Sequence, residues 1–108
     1  DDVVGYLQVS EEDSAQYRFA GIDLALRDDA QGRGLGSDAV RTIARFLLET
    51  RRHHRLTIDP ALANARAIRC YEKVGFARVG VLREYERGTD GTWHDGLLME
   101  LFARDLVR

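Results

Sequence analysis

Two kinds of residue in this sequence could do chemistry: a run of glycines able to cradle a phosphate, and single polar groups set among apolar neighbours. Gln31-Gly32-Arg33-Gly34-Leu35-Gly36 stands between a predicted strand and the predicted start of a helix. Glycines there let successive backbone N–H groups converge, and the helix dipole adds positive potential, so a phosphate or pyrophosphate is held without a charged side chain. The nucleotide-triphosphate loop needs Lys and then Ser or Thr after its last glycine, whereas Ser37-Asp38 follows here, which argues against that class. The dinucleotide fingerprint is G-x-G-x-x-G, and these glycines read G-x-G-x-G at a different point in the order of strands. A tight turn ahead of a helix explains the glycines alone equally simply. Asp23 interrupts an otherwise apolar strand, where a carboxylate without a partner is costly. Asp59 precedes Pro60 and is also a good turn former. Cys70 has no evident base beside it and reads as an inert buried thiol. His53 and His54 are consecutive and cannot face one ligand together, and no zinc-enzyme spacing of histidine and carboxylate occurs, so no metal is expected.

These groups need a scaffold, and the length of 108 residues fits one α/β domain. With 44% hydrophobic and 31% charged residues the chain is neither disordered nor fibrous, and its apolar runs are too short to span a bilayer. A formal net charge of -2 offers no bulk attraction to nucleic acid or to an anionic membrane, and suits a cationic small molecule better. One cysteine fits a reducing compartment, the cytoplasm by default. Val3 to Val9 reads as a strand, and Tyr17 to Leu26 as a second whose apolar alternation slips near Ala20-Gly21, as a β-bulge would. From Leu35 the apolar residues 35, 39, 40, 43, 46 and 47 form a helical stripe. Leu56-Thr57-Ile58 is a short strand ended by Asp59-Pro60. A second helix begins near Asn64, which caps it, carries Ala67, Ile68, Tyr71 and Val74 on one face, and stops at Gly75 with Phe76 closing the cap. Ala77 to Glu86 and Trp93 to Phe102 alternate around the turn Gly88-Thr89-Asp90-Gly91 and predict a hairpin.

The run Asn64-Ala65-Arg66-Ala67-Ile68-Arg69-Cys70-Tyr71-Glu72-Lys73-Val74-Gly75-Phe76 resembles the segment N-x-x-A-I-x-x-Y-E-K-x-G-F of the GNAT superfamily of acyl-coenzyme A N-acyltransferases. QGRGLG is similar to that superfamily's pyrophosphate motif Q/R-x-x-G-x-G/A, with Gln31, Gly34 and Gly36 in matching places. Gly21-Ile22-Asp23, Asp59-Pro60 and the AIRCYEKVGF run look like the aminoglycoside 6'-N-acetyltransferase branch. The hairpin looks more like enzymes that modify protein N-termini or spermidine-type amines.

The resemblance implies a three-layer α/β/α mixed sheet with splayed central strands, and acetyl-coenzyme A as cosubstrate. Its pantetheine would pair with Leu24, Ala25 and Leu26, and its pyrophosphate would lie on Gly32 to Gly36. Asn64, Ala67 and Tyr71 would complete the cosubstrate site, with Arg33 foremost among candidates for a phosphate charge. Tyr71 would donate a proton to the departing thiolate. Asp23 and Asp59 would bind the ammonium of the acceptor and take its proton, and the bulge near Gly21 to Asp23 would aim an N–H at the thioester carbonyl. The resemblance implies that the acceptor would be a small-molecule amine, an aminoglycoside first, with a protein N-terminus, a polyamine or a siderophore lysine as alternatives. Trp93 and Tyr85 are candidates for the acceptor side, although cross-strand packing explains them equally well. A module that binds acyl-coenzyme A without catalysis is the reading from another class. The one methionine is Met99 rather than the first residue. The resemblance further implies that the elements usually preceding the first strand are absent, leaving an incomplete substrate wall and an exposed sheet edge through which two copies could pair.

Overall fold

A computed structural model describes residues 5–26 and 35–107 of the chain. The glycine-rich segment Gln31 to Gly34, with Arg33, lies outside the described residues. Five strands form one mixed sheet: β1 (Gly5–Glu12), β2 (Phe19–Leu26), β3 (Arg55–Ile58), β4 (Ala77–Arg87) and β5 (Trp93–Leu101). Helix α1 (Leu35–Arg45) joins β2 to β3, and α2 (Ala65–Val74) joins β3 to β4. The spatial order is β1-β2-β3-β5-β4, with β1 at one edge. Only β2 and β3 run parallel, as a helix-bearing crossover permits. The α/β class and mixed sheet follow the sequence reading.

Strand periodicity puts one face of the sheet inward. Ala20 and Ile22 of β2, Leu56 and Ile58 of β3, and Leu97, Met99 and Leu101 of β5 are buried in one cluster. Val40 and Ala44 of α1 join that cluster, with Ile68, Tyr71 and Val74 of α2. Each fully buried aliphatic or aromatic side chain contributes about 1.5–3 kcal/mol relative to exposure. The helices also touch each other, Ser37 Oγ lying 3.0 Å from Cys70 Sγ. Cys70 is therefore half-buried beside a hydroxyl rather than sealed among apolar atoms.

Three local expectations change. The slip near Ala20-Gly21 is not a bulge, because β1 and β2 pair without interruption from Gly5 and Leu26 to Glu12 and Phe19. Tyr17 lies outside the strand, and small Ala20 rather than its neighbour Phe19 points inward. The bulges instead interrupt β4, between Arg78 and Gly80 and between Leu82 and Glu86. Phe46, expected in the buried stripe of α1, is 47% exposed. The helix widens to a π-turn over Phe46–Thr50, closed by Arg51 N–H to the Phe46 carbonyl at 3.0 Å, and Leu47 and Leu48 are the residues turned to the core.

Helix α2 follows its sequence signals closely. The Asn64 side chain accepts the Ala67 N–H at 3.1 Å. At the other end Gly75 takes φ +121°, its N–H reaches the Glu72 carbonyl, and the Phe76 N–H reaches the Tyr71 carbonyl at 3.1 Å. That pair of bonds is the Schellman closure.

Candidate active site

The ladder between β2 and β3 ends at Ile22 and Ile58, although β2 runs on to Leu26. Beyond Ile58 the chain stays with β5 instead: Leu97 N–H reaches the Pro60 carbonyl at 2.8 Å, and Leu62 N–H reaches the Asp95 carbonyl at 2.9 Å. The two central strands therefore part, and the backbone of Asp23, Leu24, Ala25 and Leu26 has no pairing to β3. An extended chain with amide groups fits such a gap by strand addition.

A cleft of about 830 Å³ opens at this parting. Its floor and walls include Gly21, Asp23, Ile58, Asp59, Tyr85 and Glu86. The described lining holds three carboxylates and no lysine, arginine or histidine. Tyr85 Oη donates to Asp59 Oδ2 at 2.5 Å. That bond is the first cause holding the Tyr85 phenol up at about 12, ahead of desolvation and the charges of Asp59, Glu86 and Asp23. Asp23 has no hydrogen-bond or ion-pair partner among the described residues.

Tyr71 is 5% exposed on the inner face of α2, its ring edge-on to Phe76 at 6.3 Å between centroids. Burial pushes its phenol up to about 12, and Cys70 and the charges of Asp23 and Asp59 push the same way. The hydroxyl is thus a permanent donor at neutral pH, within the field of both carboxylates, although Tyr71 does not line the cleft itself. Asn64 and Ala67 lie on the first turn of α2, Asn64 as its cap. Leu35 and Gly36 form the start of α1, whose N-terminus is where the dipole favours an anion.

The sequence reading brought Asp23, Asp59 and Tyr85 into consideration, and the cleft unites them. It missed Glu86, which a strictly alternating β4 keeps apart from Tyr85 and which the bulge before it carries to the cleft. Trp93 lies elsewhere, beside Leu62 and His94 on the outer side of the hairpin. Of the histidines, His53 is buried with Nε2 at 2.5 Å from Glu11 Oε1, while His54 is exposed against the Phe102 ring. Donor atoms of Glu11, Asp13 and His53 lie within 4.8 Å of one another. Positive charge already serves that cluster: Arg51 binds both oxygens of Glu11 at 3.0 and 3.2 Å, and Arg18 approaches Asp13 at 3.6 Å.

Residues 1–76 match the model of the acetyltransferase (GNAT) family. The chain belongs to the GNAT acetyltransferase family. Over 63 residues this GNAT chain is 43% identical to a kanamycin resistance protein of Rhizobium radiobacter, a stretch covering 57% of the chain and 58% of that protein. An aminoglycoside N(6')-acetyltransferase type 1 of Klebsiella pneumoniae is also 43% identical over 63 residues, covering 57% of the chain and 31% of that protein. The match spans less than two thirds of each relative. A ribosomal-protein-S5-alanine acetyltransferase of Vibrio fischeri superposes with TM-score 0.85 at 19% identity, covering 97% of this chain and 57% of that one. A spermidine N-acetyltransferase chimera from Vibrio cholerae superposes with TM-score 0.82 at 20% identity, covering 95% and 63%. At these identities the superpositions establish the GNAT fold alone. No described helix is long and apolar enough to cross a membrane.

Proposed function

We propose that this chain transfers acetyl from acetyl-coenzyme A to a primary amine of a polycationic small molecule, the 6'-amine of an aminoglycoside first. The carrying observation is the cleft at the parted strands, lined by Asp23, Asp59 and Glu86 with no basic side chain in its described lining. An amine acceptor enters as an ammonium, and with a pKa near 10 only about one molecule in a thousand is the free base at pH 7. Carboxylates hold that ammonium in the cleft, and Asp23 takes its proton as general base, directly or through water. The freed nitrogen lone pair then attacks the thioester carbonyl. Collapse of the tetrahedral intermediate breaks the carbon–sulfur bond, and the thiolate leaves with the electron pair and takes a proton. Tyr71 serves that departure as a phenol kept protonated by burial. The backbone of β2 from Asp23 to Leu26, paired to β1 but open on its β3 side, suits the amides of the pantetheine arm, and Gln31 to Gly36, running into the start of α1, suits the pyrophosphate.

The resemblance in sequence to aminoglycoside-modifying proteins supports the choice of acceptor. A polyamine meets the same charge requirement, which makes spermidine the natural second substrate to try. Thiol release from acetyl-coenzyme A with kanamycin, spermidine and an alanine-ended peptide tests the reading. Release with kanamycin above the other two is expected. Release with the peptide alone overturns the acceptor, and binding of acetyl-coenzyme A without release to any amine overturns the transfer.

A further inference from the structure

Strand β4 carries a distortion that sheet pairing does not explain. Leu82 pairs with Gly96 and Glu86 with His94, so Arg83, Glu84 and Tyr85 stand against the single residue Asp95. Glu84, at the centre, takes φ +47°, a left-handed conformation that a β-carbon disfavours. Asp95 holds it there, its Oδ1 accepting the Glu84 N–H at 2.8 Å. Gly96 leaves room beside the displaced ring, since a β-carbon at that position would lie 3.0 Å from Tyr85 Cδ2. The Tyr85 hydroxyl is thereby carried to Asp59 Oδ2, at 2.5 Å. Strained backbone held by a dedicated side chain is characteristic of functional positions.

We propose that the bulge at Arg83 to Tyr85 is the device that fixes the acceptor: Tyr85 is a positioning residue that locks Asp59 as the anchor for the acceptor's ammonium, and Asp95 positions Tyr85. The proposal rests on the polycationic-amine reading given above. It divides the work of two carboxylates that otherwise look equivalent. Asp59 has one oxygen occupied by a phenol that stays protonated, so its other oxygen keeps a set direction toward a cation. Asp23, on β2 where it parts from β3, is left as the proton acceptor of the reading above. Specificity for a charged amine then comes from strand geometry rather than from a further charge.

The test compares Tyr85→Phe, Asp95→Ala and Asp95→Asn in the full chain, using kanamycin and spermidine as probes. Calorimetric Kd and the steady-state constants are the readouts. Losing a hydrogen bond to a carboxylate raises the Kd and KM for the amine about tenfold in Tyr85→Phe, with a smaller change in kcat. The KM for acetyl-coenzyme A stays put. Asp95→Ala behaves like Tyr85→Phe, and the double variant is no worse than either one. Asp95→Asn keeps an oxygen for the Glu84 N–H and recovers most of the affinity. A merely structural Asp95 would lower the melting temperature without this split and without the rescue. Parent-like amine binding by Tyr85→Phe overturns the proposal, as do additive effects in the double variant. A parent that binds the probes but releases no thiol refutes the transfer reading while the Kd comparison still decides this one. A parent that binds neither probe overturns both.

Discussion

Gly75→Ala should be among the most damaging single-methyl changes in the described chain, and its cost can be worked from geometry. Gly75 has φ +121°, where an alanine is strained by about 1–3 kcal/mol. Its new β-carbon would also lie 2.2 Å from the carbonyl oxygen of Asp105, so one of the two must move. Asp105 ends the short 3₁₀ turn Ala103–Asp105, which is followed by buried Leu106 and by the Val107 N–H bond to the Val74 carbonyl at 2.9 Å. Displacing that segment forfeits a backbone hydrogen bond, about 0.5–1.5 kcal/mol, and exposes Leu106, about 1.5–3 kcal/mol. The smallest sum is about 3 kcal/mol, and at about 4 °C per kcal/mol it lowers the melting point by about 12 °C. Thermal unfolding followed by circular dichroism measures this, with two internal controls. Gly91 also has positive φ, +83°, but nothing within 4 Å of a β-carbon, so Gly91→Ala isolates the strain. Gly80 has neither feature, and Gly80→Ala should be close to neutral. Equal losses for Gly75→Ala and Gly91→Ala would refute the role given to the Asp105 approach. A Gly75→Ala protein that melts with its parent would refute the reasoning altogether.

Tyr71→Phe should lower kcat about a hundredfold while the KM for acetyl-coenzyme A stays within about twofold; an unchanged kcat removes Tyr71 from the reaction. Asp23→Asn should abolish most kanamycin acetylation, and full activity in that variant strikes Asp23 as proton acceptor. Asn64→Ala removes the acceptor of the Ala67 N–H and should cost about 1 kcal/mol of stability, read from the urea midpoint at unchanged slope. Asp90 sits in the hairpin turn, where the Thr92 N–H first, then His94 and the Thr92 hydroxyl, hold its carboxyl down at about 2. A depressed carboxylate contributes stability above its ordinary value of 3.8 and loses it as pH falls through about 2. Its carboxyl carbon resonance should therefore still report the ionised form near pH 3, and a midpoint at the ordinary value would contradict the turn geometry.

The second helix was legible in the sequence because everything that fixes it is local. Asn64 answers its first orphan N–H groups, Gly75 supplies the conformation that ends it, and Ile68, Tyr71 and Val74 recur at the helical spacing. The parting of β2 from β3 was legible only through the family resemblance, because it arises when the segment after Ile58 bonds to β5, more than thirty residues away in sequence. The bulge was sought in the wrong strand for a related reason. Apolar alternation records which residues face inward, and Ala20 is too small to be prominent in such a pattern. The actual bulge in β4 carries no glycine at its left-handed residue; Glu84 is held by Asp95, a partner on another strand. Glu86 stayed hidden with it. Phe46 was misplaced because the apolar period alone does not distinguish an α-turn from a π-turn.

The short parallel ladder has a mechanical meaning. Phe19 to Ile22 against Arg55 to Ile58 is the whole seam between two halves of the sheet. On one side lies the β1–β2 hairpin. On the other lie β3, α2, β4 and β5, consecutive in the chain and laced by antiparallel pairing. Apart from that seam, helix packing and the polar contacts of Glu11 and Arg18 with the segment Arg51 to His54 bridge them. In hydrogen exchange these halves should behave as two protection units, with the seam the first ladder to open. A chain lying along β2 beyond Ile22 acts as a splint across the seam, so a cosubstrate held there would be read as slowed exchange in both halves at once.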